Sequence, residues 1–164
     1  MLLAAAAASA QQAGSVIVAP TVPGQPAPAV IAIPSLTTPR NVETDAGVTG
    51  QVAANVAELI ASDLRSSGLF LPLAREAMKP YSYPETTAPS FSKWRGIGAK
   101  TLLTGFVQAG NDGRLTVGCY VYDVAAGREL GRQGFRISAG DWRRAAHKCA
   151  GLAYEKVTGT AGMF

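Results

Sequence analysis

The sequence predicts an α/β fold, on the border with α+β, in which two main helices pack against a mixed β-sheet. Two observations predict this class. First, an apolar run at Ala29–Ile33 is separated by a helix-like segment from a second apolar run at Thr101–Gln108, which is the order of a βαβ unit with parallel strands. Second, two further strand-like runs, Leu115–Val121 and Glu129–Ile137, follow across short turns and are therefore expected to be antiparallel.

The strands are predicted from their composition and from the turns between them. Ala29–Ile33 is apolar throughout, as in a strand that is covered on both faces. Along Leu115–Val121 apolar residues occupy every second position, which indicates a strand with one buried face. Asn111–Gly113 and Ala126–Gly127 supply residues that adopt the backbone conformations of tight turns. Ser138–Asp141 then has the composition of a helix start.

The helices are predicted from the spacing of apolar residues. In Val48–Ser67 these residues recur at helical intervals, as on the buried face of a helix. Asp45 is a candidate cap at its start, and Gly68 is a candidate left-handed stop at its end. A second main helix, Asp141–Thr158, carries a stripe of alanines that allows close packing on the sheet. Phe91–Gly98 is predicted as a short helix.

Composition and charge narrow the function. At 164 residues, with 48% hydrophobic and 16% charged residues, the chain has the length of one domain with a single core. Its formal net charge is +4, but the basic residues are scattered and no nucleic-acid-binding motif is present. The scattered positions include Arg65, Arg75, Arg95, Arg114, Arg128, Arg132 and Arg136. An acidic partner or surface is therefore expected rather than nucleic acid. No apolar run approaches the roughly 20 residues of a transmembrane segment.

The first 28 residues are predicted to lie outside the domain. Residues 1–10 are interpreted as the remnant of a signal peptide, because Ala8-Ser9-Ala10 has the small-x-small pattern of a cleavage site and cleavage would leave Gln11 first. A disordered alanine-rich tail is the alternative. Residues 11–28 comprise a short extended segment and a Pro-rich linker, and residues 29–164 form the domain. An exported product is expected.

Two cysteines also support an exported product. Cys119 lies on the apolar face of its predicted strand, and Cys149 lies on the alanine-rich stripe of the last helix. If that helix packs on that face, the sulfurs meet. A disulfide there would close a loop of about thirty residues and contribute roughly 3–4 kcal/mol. The alternative is a pair of reduced cysteines that act as small hydrophobic residues. The disulfide is favoured because an oxidising compartment permits it.

No catalytic, cofactor or metal site is predicted. His147, the single histidine, has arginines as its neighbours at helical spacing, and these cannot orient it as a carboxylate would. Gly96–Lys100 superficially resembles a phosphate-binding loop, but it precedes a strand, whereas such a loop follows one. Asp112 and Asp123 flank a hairpin without an obvious acidic partner. Two cysteines and one histidine cannot supply four zinc ligands. The chain is therefore predicted not to be an enzyme.

Several segments of the chain occur in the order found in one known family. They are Pro28–Pro34, Asp63–Phe70, Phe91–Ala99, Asp141–Arg144 and Tyr154–Gly159. Together with the strands between them, these segments resemble the N-terminal domain of the TolB family over Val16 to Phe164. TolB proteins are periplasmic components of the Tol–Pal envelope system. The resemblance thus implies a periplasmic, non-enzymatic interaction domain with roles in outer-membrane integrity and in constriction during cell division.

The resemblance also implies a partner. In the TolB family the N-terminal segment contacts TolA, which transfers that contact to Val16, Ile17 and Val18 by position and apolar character. A plain edge strand or a disordered tail is the alternative for these residues. The family continues into a six-bladed propeller that carries the Pal contact. This chain ends at Phe164, so contact with Pal is expected only through a propeller that the sequence lacks.

A second function class stays open. CsgG-like and LpoB-like envelope proteins broadly share an apolar first strand, a helix with a Leu-Phe exit and a hairpin rich in Gly, Phe and Val. In that interpretation the chain is an envelope assembly factor or an enzyme-activating factor.

Overall fold

One mixed sheet forms the centre of the computed structural model, which describes residues 23–164. The strands of this described part are β1 (Ala29–Ala32), β2 (Phe70–Pro72), β3 (Thr101–Ala109), β4 (Leu115–Asp123) and β5 (Arg128–Ile137). Its helices are α1 (Thr49–Ser66), α2 (Phe91–Gly96) and α3 (Trp142–Thr158). The strand order is β2-β1-β3-β4-β5, with β1 parallel to both neighbours and the other pairs antiparallel. The predicted α/β class with a mixed sheet is confirmed.

The connection after the first strand differs from the prediction in one respect. β1 is parallel to β3, with Ile31 opposite Thr101, as predicted. However, α1 leads to β2, which the sequence analysis missed, and β2 pairs with the other side of β1. β2 has only 3 residues, which is too short to display a period of two. Its existence follows from pairing with β1, which no local pattern reveals.

The predicted end of α1 is confirmed, but the predicted start is wrong. Gly68 has a φ of +74°, and its N–H donates to a carbonyl of the last turn at 3.1 Å. Asp45 is not the cap, because the helix begins after Val48, whose side chain forms no capping bond. Instead, the side-chain oxygen of Asn41 accepts the N–H of Gly50 at 3.1 Å. A residue remote from the helix start therefore satisfies a free amide of the first turn.

The predicted hairpin turns are confirmed, and they explain two carboxylates. Gly113 has a φ of +76°, and the Asp112 side chain accepts the N–H of Arg114 at 3.1 Å. In the second turn the Asp123 side chain accepts the N–H of Ala126 at 2.9 Å. Asp112 and Asp123 thus both stabilise turns by the hydrogen bonds typical of aspartate.

Two hydrophobic clusters lie on opposite faces of the sheet. On one face α1 and α3 cover buried side chains that include Leu103, Val107 and Val117. On the other face a smaller cluster surrounds Trp94 of α2, which is 1% exposed and packs with Leu102. Leu102 and Leu103 are neighbours in β3 and reach opposite clusters, because side chains alternate along a strand. The smaller cluster holds the long segment between β2 and β3 against the sheet.

Candidate interaction surfaces

The predicted partner-binding segment, Val16–Val18, lies outside the described residues. The described chain begins in the Pro-rich linker, where residues 23–28 are all exposed. At the end of the linker the N–H of Ala29 donates to the carbonyl of Leu69 at 2.8 Å. The N-terminal segment is therefore attached at the start of β1, beside the connection from α1 to β2.

β2 forms one outer edge of the sheet. Its 3 residues end in Pro72, which has no N–H to offer a further strand. Leu71, the middle residue of β2, is 55% exposed. An edge this short provides few hydrogen bonds, so it is a weak template for a partner strand.

The part of β3 that extends beyond β1 is covered by two loops. Thr37 forms a parallel bridge with Phe106, in which the N–H of Thr37 donates to Gly105 and its carbonyl accepts from Val107, both at 2.9 Å. From the second loop, the Tyr81 hydroxyl donates to the carbonyl of Gly105 at 3.1 Å and accepts its N–H at 3.2 Å. This stretch of β3 backbone is satisfied without another strand.

Buried hydroxyl groups hold the second loop in place. The hydroxyls of Tyr122 and Thr104 both donate to the carbonyl of Thr86, at 2.8 Å and 2.7 Å. Burial raises the pKa of Tyr122 to about 12, and burial also raises the pKa of Tyr81. Both phenols are therefore protonated at neutral pH, and they serve as structural hydrogen-bond donors.

A groove of about 500 Å³ lies between the two covering loops. Residues 34–38 and 78–83 form its walls, together with Arg75. The Arg75 guanidinium is bound to Glu58 at 2.6 Å at the surface. The described lining contains no carboxylate, imidazole or thiol, which are the common general bases and nucleophiles.

β5 forms the opposite outer edge. It has 10 residues, and in the described part of the chain it pairs with β4 alone. Its central residues, Arg132, Gln133 and Gly134, are all exposed. Every second residue of an edge strand directs its backbone N–H and C=O away from its neighbour, so β5 offers unpaired groups on both sides of the register shift between Glu129 and Gly131.

A disulfide joins Cys119 of β4 to Cys149 of α3, with Cα atoms 5.9 Å apart. Both residues are fully buried, and so are the surrounding α3 alanines Ala145, Ala146 and Ala150. The structure thus brings together the two cysteines that the sequence analysis paired, by packing α3 on the buried face of β4. The oxidised state of the protein in solution stays a prediction.

His147 has a partner that the sequence analysis missed. Its Nδ1 lies 2.7 Å from Oδ2 of Asp63 on α1, so a carboxylate orients the imidazole. The two residues are 84 positions apart, and only the packing of α1 against α3 brings them together. The hollow beside His147 is otherwise lined by Arg144, Lys148, Gly151, Gly162 and Phe164. None of these side chains is a hydroxyl or thiol nucleophile, so the pair links two helices without completing a triad.

The rest of the described structure offers no further arrangement that a metal ion would complete. Among residues 23–164 no group of three or more His, Cys, Asp or Glu side chains is arranged to hold a metal ion. Within the same range every buried polar side-chain atom has a hydrogen-bond partner. No helix in this range is both long enough and apolar enough to cross a bilayer.

The fold and these surfaces define a small α/β domain with one long open strand edge, a construction suited to binding other proteins. A profile of the TolB amino-terminal domain matches residues 22–130. The chain belongs to this family, as the sequence analysis predicted.

Two curated relatives carry the name Tol-Pal system protein TolB. The one from Zymomonas mobilis is 50% identical over 140 residues, and the one from Rhizorhabdus wittichii is 49% identical over 140 residues. Each alignment covers 85% of this chain but only 30% or 31% of the relative. The chain therefore spans about a third of the length of these relatives. Their shared name is that of a component of the Tol–Pal system and describes no enzyme.

Solved structures show the same fold. TolB from Acinetobacter baumannii has a TM-score of 0.62 at 20% identity, over 84% of this chain and 30% of that one. The LpoB C-terminal domain from Salmonella enterica has a TM-score of 0.50 at 14% identity, over 71% of this chain and 87% of that one. At these identities the likeness concerns the fold alone. LpoB thus shares the architecture, whereas the match to the TolB amino-terminal domain assigns this chain to the TolB family.

Proposed function

We propose that this chain is a periplasmic, non-enzymatic interaction domain of the Tol–Pal system that contributes to outer-membrane integrity and to constriction during cell division. Its partner is TolA, which binds the N-terminal segment at Val16, Ile17 and Val18. The observation that carries the proposal is the family match over residues 22–130, together with 50% identity to a Tol-Pal system protein TolB. Contact with Pal would require a propeller, which lies outside this sequence.

Two features support the periplasmic location. Ala8-Ser9-Ala10 has the pattern of a signal-peptidase site. Cys119 and Cys149 are paired in the structure, and disulfides persist in oxidising compartments such as the periplasm.

The N-terminal segment is chemically suited to pairing with a strand edge of TolA. Val16, Ile17 and Val18 are β-branched, and such side chains pack well on a pleated surface, while the backbone supplies hydrogen bonds. The linker that follows contains Pro20, Pro23, Pro26 and Pro28. Proline restricts the conformations of the free segment, so less entropy is lost when it is ordered by a partner.

The N-terminal segment exchanges between two docking sites, the edge of β2 and TolA, and this exchange gives it a regulatory role. The segment is attached beside β2, whose edge offers only 3 residues. Docking on that edge is therefore weak, with docked and free forms within roughly 2–3 kcal/mol of each other. A partner that provides a longer edge competes successfully for the same residues. The occupancy of the segment then reports whether TolA is present.

A deletion of Gln11–Thr21 tests the proposal. We expect this variant to lose binding to the isolated TolA C-terminal domain in isothermal titration calorimetry. We also expect its thermal midpoint to remain nearly unchanged, because the segment contributes little to the core. Deletion of residues 1–10 is the matched control, since it shortens the chain but keeps the proposed contact. Unaltered TolA affinity after the longer deletion would discard the proposal.

A single substitution localises the contact. Ile17→Asp places a charge where an apolar side chain is proposed to be buried in the TolA complex, and we expect at least about tenfold weaker binding. Ser15→Asp introduces the same charge at a neighbouring polar position and should have a smaller effect. Equal effects of the two substitutions would indicate an electrostatic influence rather than a buried strand.

A further inference from the structure

The net charge of the chain is concentrated in its last strand and last helix. Seven of the fifteen Lys and Arg residues, but only three of the eleven acidic residues, lie between Arg128 and Thr158. The remaining eight basic and eight acidic residues cancel. The whole formal charge of +4 therefore resides on β5, α3 and the turn between them. Within this stretch the basic residues form no continuous run, and the packing of α3 against β5 brings several of them together.

A groove of about 600 Å³ lies between the open edge of β5 and α3, and we call it the β5–α3 groove. Leu130 of β5 and Leu152 of α3 contribute apolar surface to its lining. Gly131 and Gly151 line it without side chains, and the Lys156 side chain lies across Gly131. A Cβ atom built at Gly151 meets no other atom within 4 Å, so the space beside α3 is open.

The charges of the groove are predominantly positive. Lys148, Lys156 and Arg132 line it, and Glu155 is the single acidic residue among its described lining. Arg132 is bound to Glu129 at 2.6 Å, and Lys156 lies 3.4 Å from Glu155. The Lys148 ammonium forms no ion pair in the described part of the chain and lies 5.2 Å from the ring centre of Phe135. The groove therefore contains a cation that a ligand carboxylate can pair with.

The backbone beside these cations is available for pairing. The edge of β2 is short and ends in Pro72, and the free part of β3 is covered by Thr37 and Tyr81. β5, by contrast, has 10 residues and no neighbour on its outer side in the described structure. An edge strand beside a helix is the geometry in which several domains add an extended peptide as an extra strand.

We propose that the β5–α3 groove binds an extended acidic peptide segment of a partner protein. The segment adds to the sheet next to β5 and directs carboxylates towards Lys148 and Lys156. The N-terminal segment of this chain is not the occupant, because residues 1–22 contain no charged side chain to complement the groove. A peptide is favoured over an anionic lipid surface because its backbone supplies alternating donors and acceptors at the spacing of a strand edge. The site is separate from the proposed TolA segment.

The first experiment measures binding of a defined probe to the full chain. The probe is a fluorescein-labelled peptide in which Glu alternates with Val and Thr over about 10 residues, the length of β5. We expect saturable binding by fluorescence anisotropy and slower amide hydrogen exchange along β5. A second probe has the same sequence with alternate backbone amides N-methylated, which removes the strand hydrogen bonds but keeps the charge. We expect it to bind at least about tenfold more weakly.

Two variants test the location. Gly151→Leu adds a side chain to the wall of the groove at a position where a Cβ meets no atom within 4 Å, and leucine favours helix more than glycine does. We expect it to weaken probe binding at least about tenfold. Gly96→Leu is the matched control, since a Cβ at that helical glycine also meets nothing within 4 Å. Lys148→Glu with Lys156→Glu should weaken the acidic probe by a similar factor and permit binding of a probe in which Lys replaces Glu.

Each contrary outcome overturns the proposal. Equal binding of the methylated and unmethylated probes would show a charged surface without strand addition. Unchanged binding to Gly151→Leu would place the probe elsewhere. Binding to phosphatidylglycerol vesicles without measurable binding to the probe would assign the face to a lipid surface.

Discussion

The two sides of the sheet satisfy their backbone in opposite ways. On the β1 side, β2 is short, and Thr37 and Tyr81 occupy the free part of β3 with hydrogen bonds of 2.9–3.2 Å. On the β5 side, a strand of 10 residues faces outward next to the cationic face of α3. On the first side the free part of β3 is paired by buried, neutral groups, whereas the second side presents exposed and charged ones. Interactions on the first side therefore hold the fold together, whereas the second side keeps backbone and charge available for a partner.

The largest effect on stability is expected from the smaller hydrophobic cluster, which holds the covering loops against the sheet. Trp94→Ala removes a side chain that is 1% exposed and central to the smaller hydrophobic cluster. We expect a loss of about 3–5 kcal/mol in the free energy of unfolding, measured by chemical denaturation. Tyr83→Ala is the control, because Tyr83 lies in the same loop region but is 40% exposed. Similar losses for the two variants would mean that the loop is not held by its buried cluster.

The disulfide is expected to contribute nearly as much. Replacing both Cys119 and Cys149 by alanine should lower the free energy of unfolding by roughly 3–4 kcal/mol, because the bond restricts the unfolded chain. The cross-link spans a sequence separation of 30 residues. Mass spectrometry of the alkylated, non-reduced protein should detect no free thiol. Detection of two alkylated cysteines would show that the protein is reduced in solution.

A smaller effect is expected from the hydrogen bonds that the Thr86 carbonyl accepts. Tyr122→Phe removes one donor to the Thr86 carbonyl but leaves the one from Thr104, so we expect a loss of about 0.5–1.5 kcal/mol at neutral pH. The comparison with wild type is made by chemical denaturation.

The same tyrosine predicts a dependence on alkaline pH. Burial raises the pKa of Tyr122 from 10.0 to about 12, so the folded state keeps a proton that the unfolded chain loses. The associated stability is complete below pH 10 and is lost as pH rises from 10 to about 12. Tyr122→Phe should therefore lose less stability than wild type over this range. Parallel curves for the two proteins would contradict the assignment.

The smallest effect on stability is expected from the lysines of the β5–α3 groove. Lys148→Glu with Lys156→Glu should change the free energy of unfolding by no more than about 0.5 kcal/mol, since both side chains are exposed. Denaturation of this variant is the measurement. A large loss would show that the cations support the fold, and the contrast between the two sides would no longer hold.

Features with a local signal were predicted correctly. The alternation along β4, the left-handed Gly68 and the turn at Gly113 each depend on a few consecutive residues. β2 was missed because 3 residues carry no period, and the Asn41 cap was missed because its partner Gly50 is 9 positions away. Among the candidate sites, the pairing of Cys119 with Cys149 is predicted because each cysteine lies on the apolar face of its own element. The proposed TolA segment, Val16–Val18, stays a prediction.

The sequence by itself determined the four longer strands and the three helices of the described residues, which faces are apolar, and membership of the TolB family, because side-chain periodicity and segment order are properties of the chain alone. Only the tertiary structure decided which edges are closed, which carboxylate meets His147, and which cations of β5 and α3 line one groove. These features join residues far apart in the chain, such as Asp63 with His147 and Thr37 with Gly105. Their contacts arise from the packing of whole elements, and no local spacing encodes them.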